Sequence, residues 1–325
     1  MIMKNTIMLL CLAFIFLNNE CAFGQATTLP DPFGPHQWTA TVKVVGEDGN
    51  PIVGANVSVQ YTVPAEPNSG GQTYGEVKGT TDINGIFKAS HTDSSLGLGI
   101  VVEKSEYYST HWGHEFYFDE KRQHPSFTLT LRKIGNPVPM YAKHEETKLQ
   151  MEDKPIGFDL EIGDWVTPYG KGFHPDMFFT VHRKITGVLE YNCTLTVTFP
   201  NKGDGIVAAP PESSAGSTFK TSRTVAENGY DPELDLYYSN TNQPHGVFGY
   251  FIRVRTELNQ DGTIKSALYG KIPGGFRFYA GTKAPQAGMG FDYYLNPTPN
   301  DRNVEFDTGN NLVKDIGEFE VIKEP

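Results

Sequence analysis

Between Trp38 and Phe87 the chain alternates twice with a period of two. Trp38, Ala40, Val42 and Val44 are separated by Thr39, Thr41 and Lys43, and Ala55, Val57, Val59 and Tyr61 by Asn56, Ser58 and Gln60. Successive strand residues point to opposite faces, so this pattern predicts two half-buried strands. The residues between them are turn formers: Asp48-Gly49 and Gly54 tolerate positive φ, and Pro51 fixes its own. Farther on, Asn84-Gly85 within Gly79 to Phe87 is a short-range hairpin signal.

Together these segments resemble the carboxypeptidase regulatory-like module, a small β-sandwich similar to transthyretin. The run Lys104-Ser105-Glu106-Tyr107-Tyr108 also resembles that module's lysine, glycine and aromatic segment, with Glu106 where glycine is expected. The resemblance implies a scaffold and no particular activity, because such modules accompany many unrelated functions. Further strands are predicted at Thr73 to Gly79, Ile86 to Ser90, Leu98 to Lys104, Glu115 to Asp119 and Phe127 to Lys133, with a Pro- and Gly-rich loop from Thr62 to Gln72. About seven strands in roughly a hundred residues is the sandwich expectation, and residues 38–134 are assigned to this first domain.

Alternation is lost from Gly135 to Pro155, where Pro137, Pro139 and Pro155 remove ladder donors, so residues 135–155 are expected to be an inter-domain linker. It resumes in residues 156–325. Phe158, Leu160 and Ile162 alternate with Asp159 and Glu161, and Tyr250, Ile252 and Val254 with Phe251, Arg253 and Arg255. Other strand candidates are Met177 to Ile185, Tyr191 to Phe199, Leu234 to Tyr238, Thr263 to Lys271, Gly275 to Tyr279, Gly290 to Leu295 and Asn303 to Phe306. Many short strands with Gly, Pro and Asn between them predict a second sandwich or jelly roll. Gly203 to Ser222 reads as a mobile surface loop. The expected fold class is therefore all-β, two β-sandwich domains in tandem.

Composition refines the setting. Lys4, an apolar run from Thr6 to Leu17 and the polar stretch ending in Ala22-Phe23-Gly24 have the layout of a secretory signal peptide over residues 1–24. The apolar run is shorter than the ~20 residues a membrane-spanning helix needs. Cys21 raises a lipoprotein alternative, but Asn18, Asn19 and Glu20 before it are not small and apolar. Residues 25–37, with three prolines, read as a linker. Cleavage would leave Cys193 without a disulfide partner, on the strand face of Tyr191, Leu195, Val197 and Phe199, where a buried structural thiol is expected. A formal net charge of −11 argues against nucleic acid as a partner.

Three constellations could carry chemistry. Asp159, Glu161 and Asp164 resemble the catalytic-strand spacing of jelly-roll glycoside hydrolases, with Asp and Glu interchanged at each place. On a strand, residues i and i+2 share a face and could flank a sugar bond. Polar residues on a solvated strand face explain the same pattern. His111 and His114 could supply metal ligands, although the expected position between strands favours a solvated loop. The loop from Asp164 to Asp176 presents Trp165, Tyr169, Phe173 and His174 among glycines and prolines, as a sugar-binding surface requires; the competing reading tucks the rings under the loop. No phosphate-cradling loop or nucleophile elbow is present, and no cofactor is expected. The residues thus predict an exported, non-catalytic binding or structural protein of the bacterial envelope or exterior, with polysaccharide or another envelope protein as partner. A glycoside hydrolase-like activity in the second domain is the alternative.

Overall fold

A computed structural model describes residues 35–64, 72–95, 97–115, 124–188, 190–210, 216–242, 248–284 and 286–325. The expected signal peptide and most of the first linker lie outside them. The described residues form no α-helix, only strands and a 3-10 turn at Glu318–Glu320, so none could cross a membrane as a helix.

The first sandwich contains β1 (His36–Gly46), β2 (Asn56–Pro64), β3 (Gln72–Thr80), β4 (Ile86–Asp93), β5 (Gly97–Glu103), β6 (Tyr107–Tyr108), β7 (Thr110–Glu115) and β8 (Ser126–Lys133). They make two four-stranded sheets, β4-β1-β8-β6 and β3-β2-β5-β7. The alternation at the start of the chain has the expected consequence: Trp38, Ala40, Val42 and Val44 face Val57, Val59, Leu98, Ile100 and Val102 across one core.

The two turns, however, are not hairpins. β1 and β2 belong to different sheets, as do β3 and β4, so each turn carries the chain from one layer to the other. The turns hold one another in place. Thr81 Oγ1 donates to the Ile52 carbonyl at 2.6 Å and accepts from the Ala55 amide at 2.9 Å, while the Val44 amide donates to the Gly85 carbonyl at 2.7 Å. Gly85 is required there, since its φ is +73° and a Cβ would lie 2.5 Å from the Val44 carbonyl oxygen. Glu106, in its glycine-like place, adopts φ 68°, and the turn still closes through Tyr107 N to Lys104 O at 3.1 Å.

The second sandwich contains β9 (Val138–Lys148), β10 (Ile156–Asp159), β11 (Asp164–Trp165), β12 (Met177–Gly187), β13 (Glu190–Thr198), β14 (Gly205–Ala208), β15 (Glu233–Ser239), β16 (Gly249–Leu258), β17 (Ile264–Pro273), β18 (Arg277–Tyr279), β19 (Gly288–Asn296) and β20 (Phe306–Asn311). A five-stranded sheet, β11-β10-β12-β13-β15, packs on a seven-stranded one, β14-β16-β17-β19-β9-β20 with β18 on β19. Phe158, Phe179, Leu195, Val197, Ile252, Val254, Phe291 and Tyr293 fill the space between, together with the buried Cys193. Burial also raises the pKa of the Cys193 thiol, consistent with a structural role.

The expected linker proves to contain a strand, β9, paired with β19 and β20 inside the larger sheet. Its missing alternation has a physical cause. Met140 and Ala142 face a second core with Phe251, Tyr294, Val304 and Phe306, while Lys143 and Glu145 on the opposite face are buried as an ion pair. A strand buried on both faces, with charges in one of them, shows no apolar/polar period. Gly203 to Ser222, expected as a surface loop, includes β14 and the fully buried Phe219, while residues 211–215 of it lie outside the described ones.

The sandwiches share a polar seam within one contact unit, residues 35–325. Arg132 of β8 donates to the Phe219 and Thr221 carbonyls at 3.0 and 2.7 Å, and its guanidinium lies 4.4 Å from the Phe219 ring centre. Tyr108 donates to Glu305 at 2.7 Å, and Arg223 reaches back to Glu47 at 2.8 Å. The paired arginines hold the Glu47 carboxyl down to about 2 against the opposing effect of its burial.

Candidate functional site

The acidic segment expected as one strand from Phe158 to Ile162 is a tight hairpin. β10 ends at Asp159, residues 160–163 turn, and β11 returns with Asp164 opposite Asp159. Gly163 makes this possible with φ +71°, its amide donating to the Asp159 carbonyl at 2.8 Å. Asp159 and Glu161 therefore do not share a strand face, and the geometry that suggested a glycosidase pair is absent.

Each carboxylate is instead occupied by the fold. Asp159 is 1% exposed; Oδ1 accepts from the Glu161 and Ile162 amides, both at 3.2 Å, and Oδ2 from the Phe173 and His174 amides at 3.3 and 3.1 Å. Asp164 accepts from the Trp165 and Lys171 amides, each at 2.8 Å. Asp176, also 1% exposed, accepts from the Leu160 amide at 2.8 Å. One cation joins three of these acids: Arg255 donates through Nε to Asp176 at 2.7 Å, through Nη2 to Asp159 at 3.3 Å, and through Nη1 reaches Glu161 at 2.6 Å. Burial opposes the guanidinium's charge, but its hydrogen bonds and attraction to Asp176 and Glu161 prevail and hold its pKa above the ordinary value. Burial pushes the Asp176 carboxyl up, partly offset by Arg255. The constellation anchors the loop, and it offers no free acid and base.

Trp165 is not a ligand platform. It is 7% exposed and lies edge-on to Phe158 and Phe179 at 5.2 and 5.5 Å between ring centres. Its Nε1 donates to Glu145 Oε1 at 3.0 Å. Glu145 also accepts from Lys143, whose amine further meets Glu320 at 3.0 Å and the Gly163 carbonyl at 2.7 Å. Burial opposes the Lys143 charge, yet Glu145 and Glu320 hold its pKa above the usual lysine value. Trp165→Phe keeps the ring contacts and removes one donor to a buried acid, so it is expected to cost about 1–3 kcal/mol in urea unfolding. A loss within error of zero would show that the indole N–H is dispensable.

The remaining loop side chains are outside. Phe173 is 76% and Tyr169 39% exposed, and His174 is exposed too. Beside the loop, a polar cleft of about 340 Å³ is lined by Glu161, Asp164, Lys171, Lys314, Asp315 and Glu320, with Lys143 at its margin. Arg255, Asp176 and the C-terminal Glu320 were not singled out from sequence. The nearest signal was Arg253 within the otherwise apolar run Tyr250 to Val254 and Arg255 just after it; the fold satisfies Arg253 with the Gly203 carbonyl at 2.6 Å and the Tyr230 ring, and Arg255 with the buried acids.

His111 and His114 prove to lie on β7, not between strands. Three residues apart on a strand, they point to opposite faces: His111 is exposed beside Ser109, and His114 lies edge-on to Phe127 with ring centres 5.4 Å apart. Among the described residues no cluster of His, Cys, Asp and Glu could hold a metal ion.

No protein-family model matches the chain, and no curated protein matches its sequence. Among solved structures it is similar to 3-chlorocatechol 1,2-dioxygenase from Rhodococcus opacus 1CP, with 13% identity over 30% of this chain and 60% of that one and a TM-score of 0.23. It is also similar to an aspartate-to-asparagine mutant of the shaft pilin spaA from Lactobacillus rhamnosus GG, with 12% identity over 56% of this chain and 95% of that one and a TM-score of 0.22. Neither superposition is close enough to assign a family, and the chain stands as an all-β protein of two sandwich-type domains.

Proposed function

We propose that the protein is an exported, non-catalytic glycan-binding protein of the cell envelope or exterior, its first sandwich a carboxypeptidase regulatory-like module used as a scaffold. The observation that supports this reading is the exposure of Phe173 and Tyr169 on a loop whose backbone is locked by Asp159 and Asp164. A rigid loop presents its rings without an ordering cost at binding. A sugar ring stacks its C–H face on such rings, and the adjacent polar cleft supplies donors and acceptors for hydroxyls. The burial of Asp159 and Asp176, each held by backbone amides and by Arg255, favours an anchoring over a catalytic role for these two acids.

Mature protein is expected to bind members of a neutral glycan panel and to release no reducing sugar from them. Phe173→Ala should weaken binding about 2- to 10-fold, the worth of one aromatic contact, with an unchanged melting temperature. Turnover of a bound glycan that disappears in Glu161→Gln would replace this reading with a hydrolase.

A further inference from the structure

The outer face of the β3-β2-β5-β7 sheet is laid out in cross-strand rows. One row is Glu76, Gln60, Gly99 and Gly113; the next is Tyr74, Thr62, Gly97 and Glu115; on the other side come Lys78, Ser58, Val101 and His111. Three adjoining positions on this face therefore carry no side chain. Over them lies a groove of about 730 Å³ with Gln60, Thr62, Tyr74 and Glu115 in its walls.

Glycine inside a strand weakens it, because it brings maximal backbone entropy and nothing to pack. A fold requires glycine where φ is positive or where a Cβ would collide. Gly113 meets neither condition: a Cβ there has nothing within 4 Å. At Gly99 the nearest atom would be the Gln60 Oε1 at 3.7 Å, an ordinary contact. A β-branched residue at either position would suit the sheet better. Gly97 does meet the second condition, since a Cβ there would lie 2.7 Å from the His114 carbonyl oxygen. Folding therefore accounts for Gly97 but not for Gly99 and Gly113, whereas close approach of a ligand accounts for these two.

The chemistry of the face selects the ligand. The sheet's inner backbone groups are already paired between strands, so the face cannot bind a peptide by strand addition. In these rows the lysine is Lys78, already paired with Glu76 at 2.6 Å, and Glu115 adds negative charge, so an anionic ligand is disfavoured. What the face offers is the Gln60 amide, the Thr62 hydroxyl, the Glu115 carboxylate and the Tyr74 ring, which is 76% exposed. We propose that this glycine-floored groove binds a neutral polysaccharide chain, one sugar ring lying on the bare strands against Tyr74 with its hydroxyls bonded to Gln60, Thr62 and Glu115. The inference rests on the glycan-binding reading for its ligand class, but its site is in the other sandwich and uses no residue of the Asp164 to Asp176 loop.

The test compares wild type, Gly113→Val, Tyr74→Ala and Phe173→Ala by affinity electrophoresis in mixed-linkage β-glucan, xylan and galactomannan, beside their melting temperatures. Gly113→Val is expected to melt at or above the wild-type temperature while its dissociation constant for at least one polysaccharide rises about tenfold or more. Tyr74→Ala, an exposed truncation, should weaken the same polysaccharide and leave folding unchanged, which keeps the test decisive if Gly113→Val is unstable. If both first-sandwich variants bind as wild type while Phe173→Ala does not, the groove is overturned and the loop reading stands. If wild type is retarded by none of the three, both fall.

Discussion

Arg255→Met is expected to destabilise the protein by about 3–5 kcal/mol, the usual effect of removing one partner from a buried ion pair. Asp159 and Asp176 are each 1% exposed and both take hydrogen bonds from this guanidinium. Methionine fills much of the arginine's volume, so the loss reports stranded charge more than a cavity. Two carboxylates left together without a cation would also repel, and one of them would hold a proton. The deficit should accordingly shrink as the pH is lowered towards 4, where protonation removes the stranded charge. Urea unfolding of wild type and variant at pH 7 and pH 4.5 measures it. A deficit below 1 kcal/mol at pH 7 would mean that backbone amides alone satisfy both acids. The mutation should also release the loop, because Asp159 holds the Phe173 and His174 amides and Asp176 the Leu160 amide. Weakened glycan binding by a protein that is still folded would then link the buried cluster to the exposed rings.

Lys271 is expected to make the protein's stability rise with pH above neutrality. Its side chain is fully buried at the seam, 4.9 Å from the Phe219 ring centre and 4.4 Å from that of Tyr294, donating to the Thr221 hydroxyl at 3.3 Å. Burial, with a smaller push from Arg132 and against the pull of Glu305, brings its amine down to about 7 from an ordinary 10.5. Between those two values the unfolded chain holds a proton that the folded chain lacks, so raising the pH favours the fold. The contribution is complete above the unfolded value and is lost as the pH falls through about 7. From pH 7 to 9, below the range in which tyrosines ionise, the gain is roughly 2–3 kcal/mol. Lys271→Met should flatten this slope and be the more stable protein at pH 6, since an apolar side chain avoids burying a charge. Denaturation midpoints of both proteins across this range provide the check, and parallel profiles would exclude Lys271 as the source.

The alternation of Trp38 to Val44 and of Val57 to Tyr61 named strands, the faces they bury and the sandwich class, because a period of two is a local property of extended backbone. The same grammar identified β12, β13, β15 and β16, each with at least one face against a core. It missed β9, since Lys143 and Glu145 look solvated until their partners Glu320 and Trp165 are known. It also read Asn84-Gly85 as a hairpin signal, where the chain instead passes between sheets. Turn residues state that the chain reverses and leave open whether the next strand pairs with the last or crosses to the facing sheet.

The candidate site divides in the same way. That Val166 to Asp176 is a loop, and that Phe173 and Tyr169 belong to it, followed from Gly and Pro spacing alone, although the two residues before it, Asp164 and Trp165, form β11. Which ring faces water was decided by contacts distant in sequence: Trp165 turns inward because Glu145 waits in β9, 20 residues away, to accept its N–H. Asp159, Glu161 and Asp164 were visible as a motif, but Arg255, 96 residues from Asp159, pairs with the first two together with Asp176, while Asp164 is held by the Trp165 and Lys171 amides. The sequence by itself thus determined strand, face and loop, which depend on neighbours along the chain. Only the tertiary structure decided sheet membership, charge pairing and the exposure of each aromatic ring, because these depend on groups brought together by folding and carry no local period.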